Sequence, residues 1–308
     1  MAAYVVGHKS PDTDSVCAAI ALADLKSKLG QECVPAVQGE LSPESKFVLD
    51  KFGVNAPEKL TDASGQQILL VDHSDLSQSL DNLDQGEIMG IVDHHKIGDV
   101  TTPNPIEAWV WPVGCSCTVL KYMYDFYGVQ LPKNIAGIMT CAILSDTVIF
   151  KSATCTETDN KAAQELAQLA GIDNLTDLGL EMFKVKSAIE GTPVRELVMR
   201  DYKDFDMSGK KVGIGQIEVV DLSLLDKVKE DIVKDINSLK SEGNYHSVFL
   251  LLTDIMKEGS EMLLVSDQPE VVQKAFGKQP EGDRVWLDGV MSRKKQVVPN
   301  FEKAFPEI

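Results

Sequence analysis

Apolar and polar positions alternate in blocks along the first half of the chain. Ala3–Val6 is a short apolar run closed by Gly7. Residues 15–29 carry Val16, Ala19, Ile20 and Ala23 at helical spacing and stop at Gly30, which predicts a helix with Asp14 or Ser15 placed to cap it. Residues 32–37 read as a strand, and Ser42-Pro43 opens a helix to about Phe52. Gln67–Val71 and residues 88–92 are continuous apolar runs of the kind buried in a parallel sheet. Helical periodicity then covers 117–127, 133–144, 158–169 and 176–187. This rhythm predicts an α/β domain, a mainly parallel sheet flanked by helices.

Glu190-Gly191-Thr192-Pro193 interrupts the pattern and predicts a linker over 189–194. Beyond it, 211–220, 247–252, 261–265 and 284–287 read as strands, 222–239 as one long amphipathic helix and 269–276 as a short helix. A chain of 308 residues suits two domains at ~100–200 residues each. The expected division is a larger domain over 1–188 and a smaller mixed α/β domain over 195–308.

Composition narrows the function. Lys and Arg number 30 against 47 Asp and Glu, a formal charge of −17. Such a surface disfavours binding to nucleic acid or an anionic membrane, which need a basic face, but leaves room for a small anion in a local cationic pocket. No apolar run approaches a membrane span, and the first residues show no basic segment leading into an apolar core, so no secretory leader is expected. The six cysteines (17, 33, 115, 117, 141 and 155) contain no CxxC and fit buried free thiols in a reducing cytoplasm. Cys115 and Cys117 form a CxC with nothing nearby in sequence to complete a zinc site.

Four of the five histidines fall within the first 95 residues, each close to an aspartate. His8, Asp12 and Asp14 follow the first strand. Asp72-His73 ends a second, and Asp93-His94-His95 ends a third. Asp146 closes the apolar run before it. Ligands of open α/β sheets bind outside the carboxyl ends of the strands, so His8, Asp12, Asp14, Asp72, His94 and His95 should converge. Carboxylates that close repel unless cations lie between them. Imidazole with carboxylate suits Mn²⁺, Fe²⁺, Co²⁺ or Zn²⁺. Two ions ~3.5–4 Å apart, sharing carboxylates, can hold a bridging hydroxide and clamp a phosphoryl group. His73 and Asp93 stand beside better ligands and are expected to hold those ligands in place. His246 stands alone and reads as structural.

Ser292-Arg293-Lys294-Lys295-Gln296 is the densest basic run of this acidic chain. Arginine offers a donor fork for phosphate oxygens and lysine a point charge. A metal site in one domain and a cationic tip in the other suggest a polyanion bound between them, with a hinge near Gly191.

With these motifs the chain resembles the family II inorganic pyrophosphatases of the DHH phosphoesterase superfamily. The matching segments are His8-x3-Asp12-x-Asp14-Ser15, Asp72-His73, Asp93-His94-His95, Ser145-Asp146-Thr147 and Ser292–Gln296. The resemblance implies a catalytic domain with two Mn²⁺ or Co²⁺ ions, a C-terminal domain that closes over pyrophosphate, and further Mg²⁺ brought with substrate. It implies that His8 and Asp12 hold one ion, Asp14 and His94 the other, and that Asp72 and Asp146 bridge both. It gives His95 a proton-donor role beside the phosphate, and makes Lys203, Arg293 and Lys294 phosphate ligands. It also implies a cytoplasmic homodimer without adenine-nucleotide control. The Asp-His pair is often followed by Asn in that family; here Ser74 follows. The alternatives left open are a DHH-type exopolyphosphatase, a phosphodiesterase for short oligonucleotides or cyclic dinucleotides, and a non-catalytic metal-binding protein. The phosphodiesterases usually carry a GGGH segment that this chain lacks.

Overall fold

The computed structural model describes residues 2–187 and 191–307; positions 189 and 190 of the expected linker lie outside them. The chain divides into two compact units, Met1–Val185 and Lys186–Ile308.

The first unit is built on six strands: β1 (Ala3–Val6), β2 (Cys33–Val37), β3 (Glu58–Lys59), β4 (Gln67–Val71), β5 (Glu87–Asp93) and β6 (Glu107–Val110). Their spatial order is β3-β2-β1-β4-β5-β6, and every pairing is parallel. The helices are α1 (Thr13–Lys28), α2 (Pro43–Phe52), α3 (Ser116–Tyr127), α4 (Lys133–Asp146), α5 (Glu157–Ala170) and α6 (Leu175–Lys186). This is the flanked parallel sheet that the alternating pattern predicts. Apolar β4 and β5 lie inside the sheet, where a continuous apolar run is buried on both faces. The short strands β3 and β6 were not legible. Both are polar or mixed, and both sit at the sheet's margins.

Helix α1 is buried almost all round. Its alanines at 18, 19, 21 and 23 let it lie close against α3, α4 and the sheet. The cap differs from expectation: Asp12, not Asp14 or Ser15, accepts the Ser15 amide, and the other two lie inside the helix. That frees Asp14 to point elsewhere. Gly7 is required at the turn because a Cβ there would lie 2.6 Å from Ser15 Cβ.

The second unit carries β7 (Tyr202–Met207), β8 (Lys210–Val219), β9 (Ser247–Asp254), β10 (Gly259–Ser266) and β11 (Arg284–Asp288) in the order β11-β10-β9-β8-β7. The β8–β9 pair is parallel and the other three are antiparallel. Helices α7 (Val194–Met199), α8 (Lys229–Glu242), α9 (Glu270–Phe276) and α10 (Val298–Ala304) complete it. β9 is buried throughout, and Phe249 on it stacks against Phe301 at 4.2 Å between centroids. The single helix expected over 222–239 is instead a short 3₁₀ turn, Leu222–Leu225, followed by α8. Asp221 accepts the Ser223 amide and Asp254 the Leu222 amide, which starts and fixes the turn before the helix begins. Leu222, Leu225, Ile232, Ile236 and Leu239 keep one apolar phase across that break, so the pattern reads through it. Among the described residues, no helix is long and apolar enough to cross a membrane.

Candidate metal centre

Strands β1, β4 and β5 are neighbours, so their carboxyl ends bring His8, Asp72 and His94-His95 to one edge of the sheet. Asp72 turns sharply off β4, with φ +62°, a left-handed conformation that aspartate tolerates better than bulky residues. Asp12 and Asp14 arrive at the start of α1, and Asp146 at the last residue of α4.

Asp72 is the hub. His8 Nε2 lies 3.3 Å from Asp72 Oδ2 and 3.3 Å from Asp12 Oδ2. His94 Nε2 lies 3.3 Å from Asp72 Oδ1 and 3.7 Å from Asp146 Oδ2. His95 Nδ1 lies 3.6 Å from Asp72 Oδ1. The donor atoms of His8, Asp12 and Asp72 fall within 4.8 Å of one another, as do those of Asp14, Asp72, His94 and Asp146. One carboxylate therefore belongs to two ligand groups. Nitrogen and carboxylate oxygen are the donors that Mn²⁺ accepts, and the residues present fit a divalent metal.

The electrostatics follow from burial. Asp14 is pushed up to about 6, first by burial and then by the charge of Asp72. Burial would also raise Asp72, but hydrogen bonds from His8 and His94 hold it well below the usual carboxylate range. Burial would lower His8, yet Asp12 and Asp72 raise it well above the ordinary imidazole value. Burial and close neighbours, more than solvent, thus govern the protonation of this cluster.

A layer of buried groups aims these side chains. Asp14 accepts the Ser116 amide at 2.6 Å and the Cys117 amide at 3.0 Å, so the amino end of α3 holds it. Ser15 Oγ donates to Asp72 Oδ2 at 2.8 Å, and Ser116 Oγ lies 3.3 Å from Asp72 Oδ1. His94 Nδ1 lies 3.1 Å from the Val113 carbonyl, which turns Nε2 toward the carboxylates. Asp93 Oδ1 accepts from the amides of His94 and His95 and from His95 Nδ1. His73 is buried between the Val71 carbonyl and Ser79 Oγ, which occupy both of its ring nitrogens. Ser74 binds the Gly98 amide at 2.8 Å and so ties down the loop after His95. Gly98 is obligatory there, because a Cβ would lie 2.3 Å from the Ser74 carbonyl oxygen.

Glu44 is the residue that sequence reasoning missed. It is buried on α2, and its Oε2 accepts from Thr13 Oγ1 at 2.7 Å and Ser145 Oγ at 2.8 Å. Thr13 lies between Asp12 and Asp14, and Ser145 precedes Asp146. One carboxylate thus joins the two segments, and no spacing in the sequence signals it. The CxC also acquires a partner: Cys115 Sγ donates to Asp14 Oδ1 at 3.0 Å, across 101 positions. Burial raises Cys115 and Cys117 well above the usual thiol range, so both stay protonated. His246 sits between Ser247 and Gln268, as a structural histidine would.

In the second unit, Ser292 caps a wide π-type turn over Arg293–Val297 that runs into α10. Gln296 accepts the amides of Met291 and Ser292 and donates to the Gly289 carbonyl, which closes the turn on itself. Lys203 pairs across the ladder with Ile214, whose carbonyl accepts from Arg293. Lys203 and Arg293, 90 positions apart, are thus both tied to Ile214. Lys294 is exposed beside them in the turn.

A parallel sheet ending in shared aspartates and histidines, followed by a mixed five-stranded domain, defines a DHH-type protein. Residues 2–143 match the DHH family N-terminal domain, and residues 180–304 match the DHHA2 domain. A protein of Archaeoglobus fulgidus, named "Probable manganese-dependent inorganic pyrophosphatase", is 56% identical over 99% of this chain and 98% of its own. The manganese-dependent inorganic pyrophosphatase of Methanocaldococcus jannaschii is 48% identical over 98% and 99%. The crystal structure of a Methanococcus jannaschii protein assigned to the family II inorganic pyrophosphatases superimposes with a TM-score of 0.84, at 47% identity over 98% of this chain and 99% of that one. The chain belongs to the family of manganese-dependent, family II inorganic pyrophosphatases.

Proposed function

We propose that the protein hydrolyses inorganic pyrophosphate to two orthophosphates at a dinuclear manganese site in its first unit. The observation that carries this is the sharing of Asp72 between two ligand groups. His8 and Asp12 would hold one ion, Asp14 and His94 the other, with Asp72 and Asp146 between them. Bound there, divalent ions supply a water-derived nucleophile at neutral pH and positive charge beside the phosphoryl oxygens.

The chain's own residues do the rest. Asp93 accepts His95 Nδ1–H; as the imidazolium, His95 would hand its Nε2 proton to the departing phosphate and be left as the neutral Nδ1–H form that Asp93 holds. Lys203, Arg293 and Lys294 bind phosphate oxygens and neutralise the charge that develops on the leaving group. The domain assignment follows: residues 1–188 for metal and chemistry, 195–308 for substrate, and a hinge over 189–194. Co²⁺ in place of Mn²⁺, Mg²⁺ arriving with substrate, a cytoplasmic location and a homodimer complete the proposal. The open edge of β6 with Phe126, 70% exposed beside Trp109, supports self-association, which sedimentation velocity would measure.

The test is phosphate release from pyrophosphate with Mn²⁺, Co²⁺ or Mg²⁺, before and after chelation, beside tripolyphosphate and a dinucleotide. Manganese-dependent release from pyrophosphate is expected. Faster release from tripolyphosphate would favour an exopolyphosphatase, and none from any substrate would overturn the proposal.

A further inference from the structure

Arg293 is held in a way that leaves one part of it for a ligand. The residue is only 9% exposed. Its Nη1 donates to the Asp201 carbonyl at 2.6 Å and to the Ile214 carbonyl at 3.2 Å, and its Nη2 donates to Asp201 Oδ1 at 2.6 Å. These bonds take up the end-on face of the guanidinium. Among the described residues, the Nε–H and the second Nη2–H have no protein acceptor. Those two N–H bonds run parallel along the side edge of the planar group, the spacing that grips two oxygens of one phosphate.

Both sides of the contact are anchored. The Gln216 amide donates to the Asp201 carbonyl at 2.9 Å. The buried Gln216 side chain accepts the Arg293 amide at 3.2 Å and donates to Thr253 Oγ1 and the Met291 carbonyl. The Asp201 carboxylate itself is half exposed. It is therefore placed to do two things at once: orient the arginine and offset the charge of its guanidinium.

We infer that Asp201 is the positioning residue of Arg293: it fixes which edge of the guanidinium meets the substrate, and its charge weakens the hold on product orthophosphate. This rests on the pyrophosphatase activity proposed above. Orientation and charge separate cleanly by substitution. Asp201→Asn keeps an acceptor oxygen and removes the charge, whereas Asp201→Ala removes both.

The experiment measures KM for pyrophosphate, kcat, inhibition by orthophosphate, bound manganese and melting temperature for the wild type, both variants and each variant in an Arg293→Ala background. Asp201→Asn should lower KM and the orthophosphate inhibition constant together, by about three- to tenfold, the scale of a partly screened charge nearby. Asp201→Ala should raise both, because the guanidinium loses the carboxylate bond that fixes Nη2 and keeps only the two carbonyl bonds at Nη1. Bound manganese should stay at the wild-type level, and neither change should have an effect once Arg293 is alanine. Shifts of the same sign in the two variants, no shift in either, or effects that persist without Arg293 would overturn the inference. Should Asp201→Ala unfold, Asp201→Asn alone and with Arg293→Ala still decides it. Calorimetric titration with inorganic phosphate keeps the two claims apart. Phosphate binding that responds to Asp201 in a protein that cleaves no pyrophosphate would sink the activity and leave the positioning role standing.

Discussion

Asp93 Oδ1 lies 2.9 Å from His95 Nδ1 and also accepts the amides of His94 and His95. The carboxylate therefore fixes both the tautomer and the plane of a half-exposed imidazole. Asp93→Asn should lower kcat about 10- to 100-fold while leaving KM and bound manganese near wild type, the scale of removing an orienting partner. Steady-state kinetics with metal analysis checks this, and loss of metal in step with activity would instead make Asp93 part of the ligand scaffold.

Asp72→Ala and Asp146→Ala should abolish turnover and weaken the binding of both ions. Arg293→Ala should act on substrate alone, raising KM and lowering kcat with full metal content. Paramagnetic resonance titration of manganese separates the two classes of variant. Near-wild-type activity in either aspartate variant would refute the bridging roles.

Glu44 carries no ligand atom in either donor group, yet it ties Thr13 to Ser145. Glu44→Ala leaves two buried hydroxyls without their acceptor and lets the Asp12–Asp14 segment move against the end of α4. Manganese affinity should fall about 10- to 100-fold, as is typical when an outer partner of a metal site is lost. Glu44→Gln, which keeps one acceptor oxygen, should fall less. Unchanged manganese affinity in Glu44→Ala would remove the coupling role.

Glu107, at the margin strand β6, gives a pH prediction away from the metal site. Burial would raise its carboxyl, but hydrogen bonds from Lys26, Tyr127 and Trp109 hold it below the ordinary value of 4.5. A depressed folded value stabilises the protein above the unfolded value and loses that stabilisation as pH falls through the folded one. Glu107→Gln should cost about 1–2 kcal/mol at pH 7, where charge-assisted hydrogen bonds are lost. The two proteins should converge as pH falls through the folded value, as urea unfolding over a series from pH 7 into acid would show.

The strand-end histidines and aspartates were legible because an apolar run that stops abruptly at Asp72-His73 or Asp93-His94-His95 announces the mouth of a parallel sheet. The cationic turn was legible because Arg293-Lys294-Lys295 is out of character in so acidic a chain. Glu44 was not. On α2 it is one acidic residue in a first turn, where glutamate is common for helix-dipole reasons, and only the packing of α2 against α1 and α4 gives it a partner. Asp201 was hidden the same way, since its role depends on β7 lying beside the strand that carries Ile214. The margin strands were lost because half-exposed sequence carries little periodic signal, and the break before α8 because the apolar phase runs through it unbroken.

All six proposed metal ligands, from His8 to Asp146, belong to the unit that ends at Val185, whereas Lys203, Arg293 and Lys294 belong to the unit that follows it. On the ribosome, the first unit emerges whole while the second is still being translated. Every proposed ion ligand is therefore synthesised before the first proposed phosphate-binding residue, Lys203.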